Sequence, residues 1–491
     1  MFTEQPTKEH LREMMDRNPD QFIHYVYRLN DHNNQLSDLV NQLADRVKYL
    51  EDQINKNSSN SSKPPSSDGF KRQNKTKSMR KKSGKKPGAQ KGHKGSTLKV
   101  VANPDEVVQH KLNDCPMCNN SLEHVESVKT EKRQVFDIPP VSVVVTEHQA
   151  QVKQCPHCLT KSTASFPDGI TNFSQYGSRV KAYASYLMNY QLLPFDRTAK
   201  LFNDLFNHKI SPGTLAKFRK EAFDNLLPFE KKVKKLLLNS KVINVDETGM
   251  RLFKKNYWFH VYSNSFLTYY AYHQKRGRLA IDQFGILKKF EGTAVHDHFK
   301  PYLGYNSCKH AFCNAHHLRE LTFIFEQYNH NWADKMIKLL LSIKEFADKQ
   351  ALTKKRLNGR TIKHFRKRYE QILQEGYTKT RIEFNMNPPP KFSQGKPKNL
   401  LDRLKVHATE VLAFMYDLSI PFDNNQAERD IRMVKLHQKI SGTFRSETGP
   451  AYFARIRSYI STAQKQNVNI LTALEDAFLG KPFIPALNQA E

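Results

Sequence analysis

The sequence predicts a multidomain α+β protein. The expected parts are a coiled coil, a zinc ribbon, a helical helix-turn-helix-like domain, and an α/β core split by a helical insertion. Three observations predict this. Leucines recur every seven residues near the start, two C-x-x-C pairs follow a basic run, and strands and helices alternate beyond residue 241. At 491 residues the chain exceeds one ordinary core. Hydrophobic residues make up 38%, with 31 Phe and 20 Tyr, which is enough to build packed cores and excludes a wholly disordered chain. Lys and Arg outnumber Asp and Glu by 78 to 48, so a polyanionic partner is expected, either nucleic acid or an anionic membrane surface. No apolar run reaches the roughly 18 residues of a membrane span. The start, MFTEQPTKEHLREMM, lacks the basic and apolar stretches of a signal peptide. A cytoplasmic protein is expected, its six cysteines reduced or metal-bound.

Residues 1–56 are read as a coiled-coil oligomerisation helix. Leu29, Leu36, Leu43 and Leu50 lie seven apart, Val40, Val47 and Ile54 fill the alternate seam positions, and Asn33 falls on the same seam. This is the pattern of a parallel two-stranded coiled coil with a buried Asn fixing register. One amphipathic helix packed on its own chain gives the same pattern. Residues 57–104 are read as a linker and basic arm. NKNSSNSSKPPSSDG, from Asn55 to Gly69, is too rich in Ser, Asn and Pro to fold. From Lys71 to Lys94 the chain carries eleven Lys/Arg and no acid. Lys81, Lys82, Lys85 and Lys86 are candidate DNA-binding residues there, since such an arm gains affinity by releasing counterions from phosphates.

Residues 105–170 are read as a zinc-ribbon DNA-binding domain. CPMC (Cys115, Cys118) and CPHC (Cys155, Cys158) can each form a knuckle, and two knuckles complete a tetrahedral zinc site. Four thiolates leave no open position, so the role is structural. Between the knuckles RQVFDIP and VSVVVTEHQAQV look like a hairpin, although the spacer exceeds the usual template. Cys308, His310, Cys313 and His316 offer a second ligand set, read as buried cysteines beside a helix start rather than as a metal site. Residues 171–240 form the predicted helix-turn-helix-like domain. NHKIS joins two short helices, Ser211 suits the N-cap and Pro212 the first helical position. Lys217, Arg219 and Lys220 on the second helix are candidate DNA contacts.

Residues 241–330 are read as the first part of the core. VINVDETGMRL, NYWFHVYS and LTYYAYHQ form three antiparallel strands with a turn at SNSF, followed by a helix from Arg278 to Leu287. GTAVHDHFKPY is a short strand ending on Asp297, and HAFCNAHHLRELTFIF is a strand running into a helix. Residues 331–418 form a helical insertion broken near NMNPPPKFSQGKP, and residues 419–491 return to the core as helices. If the strands carrying Asp246 and Asp297 are neighbours, their carboxylates share one rim of the sheet, and Glu428 on a crossing helix completes a set. Crowded carboxylates repel, and divalent metal relieves that cost. Two such ions can activate the attacking oxygen and steady the leaving one in phosphodiester displacement. Glu247 is a rival ligand beside Asp246, and Asp423 and Asp430 flank Glu428. Asn424 and Asn425 fall on the face of Glu428 and suit contact with metal or DNA. Arg429, Arg432, Lys435 and Lys439 present positive charge suited to a DNA backbone.

The sequence resembles the IS66 family of bacterial insertion-sequence transposases. The leucine-heptad start, NSSNSSKPPSSD, KKPGAQKGHKG, the two C-x-x-C pairs, VDETGMR, AVHDHFKPY, CNAHHLREL, DNNQAERDIR and KISGTFRSETG look like its blocks in order, over nearly the whole chain. The resemblance implies an RNase-H-like core of the DDE type, interrupted before the glutamate. Asp246, Asp297 and Glu428 become the catalytic triad holding Mg²⁺ (or Mn²⁺), with Zn²⁺ in the ribbon. It implies nicking at transposon ends and joining of the freed 3′-hydroxyl to target DNA. Double-stranded DNA, a second copy of the chain and small accessory transposition proteins are the implied partners, at a bacterial nucleoid. A transposase-derived DNA-binding protein without catalytic activity, and a metal-dependent DNA nuclease, would share many of these features.

Overall fold

The computed structural model describes residues 7–58, 60–61, 92, 94–95, 97–253, 255–353, 356–386 and 395–486. Lys81, Lys82, Lys85 and Lys86, and most of the expected linker, lie outside the described residues. The chain opens with α1 (Lys8–Arg17) and α2 (Pro19–Ile54). The Asn18 side chain accepts from the Gln21 amide to cap α2, and Pro19 takes the first position, where a missing N–H costs nothing. Leu29, Leu36, Leu43 and Leu50 are exposed in the single chain.

The expected hairpin between the knuckles is not formed. Residues 133–139 and 141–151 carry no strand. Instead β1 (Val152–Gln154) and β2 (Lys161–Thr163) pair antiparallel across the second knuckle. The reason is a missing partner surface. An alternating run becomes a strand when its apolar face is covered, but Val135 and Val145 remain 91% and 88% exposed.

Four helices precede the sheet: α3 (Ser178–Ser185), which runs into a π-helical turn, α4 (Phe195–Phe206), α5 (Pro212–Asn225) and α6 (Leu227–Leu238). Between α4 and α5 the chain turns at Asn207, left-handed at φ 47°. Ser211 Oγ then accepts from the Thr214 amide at 3.1 Å, and Pro212 starts α5, as the sequence predicts.

The five-stranded sheet contains β3 (Val242–Leu252), β4 (Lys255–Ser263), β5 (Thr268–His273), β6 (Thr293–His296) and β7 (Lys309–Phe312). Its order is β5-β4-β3-β6-β7. The first three strands are antiparallel, as expected, and β3, β6 and β7 run parallel. Asn264 Oδ1 holds the β4–β5 turn by accepting from the Phe266 and Leu267 amides. Between β5 and β6, α7 (Arg278–Phe284) ends before the expected Leu287, because Gly285 is left-handed at φ 73°. Gly292 lets β6 approach β3. A Cβ there would lie 2.5 Å from the Lys241 carbonyl oxygen.

The period-2 rule sorts β3 onto two faces. Ile243 and Val245 join a core with α3, α5, α6 and α7. Met250 and Leu252 pack on the opposite face against Ala427, Ile431 and Val434 of α14 (Asn425–Ser441). Before α14 come α8 (Asn314–Tyr328), α9 (Asn331–Ala351), α10 (Gly359–Met386), α11 (Lys396–Val406), α12 (Ala408–Val411) and α13 (Ala413–Tyr416). These helices pack into one core that takes in Val295, Ala311 and Phe312 from the sheet. The chain then continues through α15 (Gly449–Lys465) to α16 (Ile470–Phe478). Helix α15 blunts the β5 edge. The Thr268 and Tyr270 amides donate to Thr462 Oγ1 and Ser458 Oγ, one helical turn apart. Among the described residues no helix is long and apolar enough to cross a membrane.

Candidate active site and zinc knuckles

Asp246 lies inside β3 rather than at its end, because β3 runs on to Leu252 against β4. The parallel ladder with β6 is shorter. It pairs Val242 with Thr293, Ile243 with Ala294 and Asn244 with Val295, then stops. Asp246 and Asp297 both lie two residues beyond the last pair, so the same register, continued, turns them to one face. Asp297 follows the last residue of β6, and its Oδ1 accepts from the Phe299 amide at 2.9 Å. Burial raises the Asp246 carboxyl well above the usual carboxylate range, and the charges of Glu247, Asp297 and Glu428 push the same way.

Glu247 points away from this group. As an odd-numbered residue of β3 it shares the face of Ile243 and Val245. There its carboxylate accepts from Arg276 Nη2 at 2.7 Å and Nε at 3.1 Å, and from the Tyr302 hydroxyl. Asp246, as an even-numbered residue, faces α14, so the two acids point to opposite faces of β3, although the charge of Asp297 acts on both. The acids flanking Glu428 separate too. Asp430 is buried and paired with Lys465 at 2.8 Å, whereas Asp423 Oδ1 accepts from the Asn425 amide.

Glu428 sits in the first turn of α14. Asn424, expected to face metal or DNA, is instead buried at 2% exposure and fastens that helix start to the sheet. Its side-chain amide donates to the Val245 carbonyl and its oxygen accepts from Asn244, each at 2.8 Å. Its backbone amide donates to Cys313 Sγ at 3.2 Å, and its carbonyl accepts from the Glu428 amide at 3.1 Å. The asparagine pattern carried the signal for a helix cap, but which partner it reached depended on tertiary contacts.

The second cysteine–histidine set divides in two. His310 bonds to His296 and to the Tyr305 carbonyl, and Cys308 points to that same carbonyl. Cys313 and His316 turn instead toward Glu428. Its Oε1 is 4.0 Å from Cys313 Sγ and 3.9 Å from His316 Nδ1. Burial pushes the Cys313 thiol up to about 12. Nearby, His298 and His317 meet through their Nε2 atoms at 2.6 Å, and burial lowers His298 to about 3.

The candidate DNA contacts differ in what they offer. Lys217 and Lys220 on α5 are exposed, with Lys220 also paired to Asp224 at 2.6 Å. Arg219 turns inward and donates to the Gly449 carbonyl at 3.2 Å, and burial lowers it to about 10. On α14, Arg429, Arg432, Lys435 and Lys439 are all exposed. Arg432 reaches within 3.8 Å of Glu428, and Lys435 donates to the Gly249 carbonyl.

The two knuckles share one backbone design. In each, the first cysteine amide donates to the carbonyl five residues on, and its carbonyl accepts from the amide four residues on, all at 2.9 Å. That fourth residue is left-handed in both, Asn119 at φ 56° and Leu159 at φ 58°. The turn brings donors to the sulfurs. Hydrogen bonds from Thr160 lower Cys158 to about 7, and backbone amides lower Cys115. Each turn suits a pair of zinc thiolates, but among the described residues no three of the four sulfurs lie within 4.8 Å of one another, so the expected Cys₄ set is present as two separate halves, which a zinc ion would join with folding free energy rather than chemistry.

A pair of cysteine knuckles therefore precedes a mixed sheet that carries acidic residues on the face covered by a helix, an arrangement suited to a nucleic-acid-processing protein. Comparison with known families agrees. The family model described as "Transposase IS66 family" matches residues 174–451, and the chain belongs to that family. The "zinc-finger binding domain of transposase IS66" matches residues 113–158, which span both knuckles and support bound zinc and DNA binding. A family of unknown function matches residues 4–99. No curated protein matches the chain.

Proposed function

We propose that the protein binds the terminal repeats of its element, cleaves DNA phosphodiester bonds there, and joins the 3′-hydroxyl ends to target DNA. In this reading the sheet and its crossing helices form an RNase-H-like core of the DDE type. Asp246, Asp297 and Glu428 are its catalytic residues, and together they would hold Mg²⁺ or Mn²⁺. The observation that supports it is the β3–β6 register, which, continued two residues past its paired stretch, turns Asp246 and Asp297 toward the face covered by the helix of Glu428.

The donor set suits a hard cation. It is made of carboxylate oxygens, and the raised Asp246 carboxyl marks a cluster that gains from neutralisation. Bound there, the ions would activate the attacking oxygen and stabilise the leaving one. The chain's own residues do the rest. Asn424 positions Glu428, Arg276 and Tyr302 keep Glu247 out of the cluster, and the exposed cations of α14 draw the DNA backbone toward it. The ribbon, the α4–α5 unit and the basic arm supply further DNA contacts, and α2 pairs two copies through its exposed seam. The domains follow the boundaries 1–56, 57–104, 105–170, 171–240, 241–330, 331–418 and 419–491. Small accessory proteins assist it, and it works at the bacterial nucleoid in the cytoplasm.

The test uses purified protein, Mg²⁺, labelled DNA carrying the element's terminal repeat, and a supercoiled target plasmid. Nicks at the repeat boundary plus joined product, both lost in Asp246→Ala, are expected. Binding without cleavage, persisting when the element's accessory proteins are added, would contradict the enzymatic reading, and cleavage without joining would leave a nuclease.

A further inference from the structure

Cys313 and His316 play no part in the chemistry proposed above, yet both face Glu428, which does. Among the described residues, these three donors have ligand atoms that all lie within 4.8 Å of one another. A tetrahedral zinc ion with sulfur, nitrogen and oxygen ligands needs donor separations of about 3.3–3.6 Å, so small side-chain shifts would close the site. Cys313 and His316 each show one feature that suits such a role. Cys313 Sγ accepts from the Asn424 amide, the kind of bond that stabilises a thiolate. His316 Nδ1 is buried with no hydrogen-bond partner among the described residues, although it faces Glu428 at 3.9 Å. A buried ring nitrogen without a partner is costly, and a metal ion would repay that cost. Sulfur and imidazole donors select zinc-class ions over Mg²⁺. Arg319 and Arg432, at 3.9 and 3.8 Å from Glu428, oppose a cation, but Arg432 is 69% exposed and free to swing into solvent.

We propose that Cys313, His316 and Glu428 form a second zinc-class site, and that its occupancy withdraws Glu428 from the cluster with Asp246 and Asp297. The three side chains supply three ligands, leaving a fourth position for water, and binding displaces the thiol proton of Cys313 into solvent. Zinc then inhibits the enzyme by taking a carboxylate rather than by replacing the catalytic ion. The inhibitory consequence rests on the proposed function, while the existence of the site does not.

The experiment counts zinc per chain on full-length protein by equilibrium dialysis and elemental analysis. Wild type should hold one more zinc than Cys313→Ala or His316→Ala, and Cys308→Ala should match wild type. Equal counts in all four proteins would overturn the site. Bound Mn²⁺, read by electron paramagnetic resonance without DNA, tests the competition. Zinc should release it from wild type at concentrations more than about tenfold below those needed with Cys313→Ala. Equal release would overturn the competition. A wild type that binds no Mn²⁺ would count against the catalytic reading, and the zinc count would still decide the site.

Discussion

Val135, Val144 and Val145 in the ribbon are more than four-fifths exposed, whereas Ile243, Val245 and Val295 in the sheet are fully buried. Both regions carry candidate metal ligands, but they are held by different means. In the ribbon each pair of cysteines is shaped by its own turn, and the two turns are not joined to one another by the fold. In the core, a ladder, a buried asparagine and a helix packed on the strands fix where Asp246 and Glu428 stand. A metal should therefore be a folding element in the first region and a reagent in the second.

The largest expected effect separates those roles. Asp297→Ala or Glu428→Ala should lower strand cleavage beyond the roughly 10–100-fold cost of losing a residue that only supports a ligand. Binding to terminal-repeat DNA, followed by gel shift, should persist. Cys155→Ser should do the reverse. It should unfold the ribbon and weaken DNA binding while leaving the thermal transition of the core within about 1 °C, because the contacts that hold the sheet lie elsewhere.

Asn424→Ala sharpens the comparison at the next level. It removes bonds to Val245 and Asn244 and should cost about 1–3 kcal/mol of core stability. Cleavage should fall about 10–100-fold with metal still bound, because Glu428 loses its anchor. Calorimetry and Mn²⁺ binding read the two effects separately.

The buried Asp246 carboxyl should also carry a stability cost in the absence of metal. The folded-state Asp246 carboxyl is raised above its unfolded value. Stability from this group is thus fully present below the unfolded value and is lost as pH rises toward the folded one. Asp246→Asn should raise the Tm of the core at neutral pH without added Mg²⁺, by about 2 °C or more, and the gain should vanish in acid. The smallest effect is expected at the surface. Lys217→Ala should reduce the salt dependence of DNA binding by about one phosphate contact.

Much of this arrangement was legible in the sequence. Acids after short apolar runs marked β3 and β6, Ser211-Pro212 marked the start of α5, and the seven-residue repeat marked α2. Local periodicity and capping govern those features. Three others escaped because distant residues decide them. The spacer of the ribbon alternates like a hairpin, but no surface covers it. Asn424 looked like a ligand neighbour, and only the approach of β3 shows it to be a fastener. Cys313 and His316 read as part of a set with Cys308 and His310, and the return of α14, more than a hundred residues later, redirects them to Glu428. Glu247 lay between these cases. Its parity on the strand already distinguished it from Asp246, but the side facing the helix could not be assigned until α14 was placed.

The most direct test of the central claim is a crystal structure of the protein soaked in Mn²⁺, with the ions located by anomalous scattering. The account predicts manganese in contact with Asp246, Asp297 and Glu428. Manganese bound through Glu247 instead, or no manganese at these carboxylates at millimolar concentration, would contradict it.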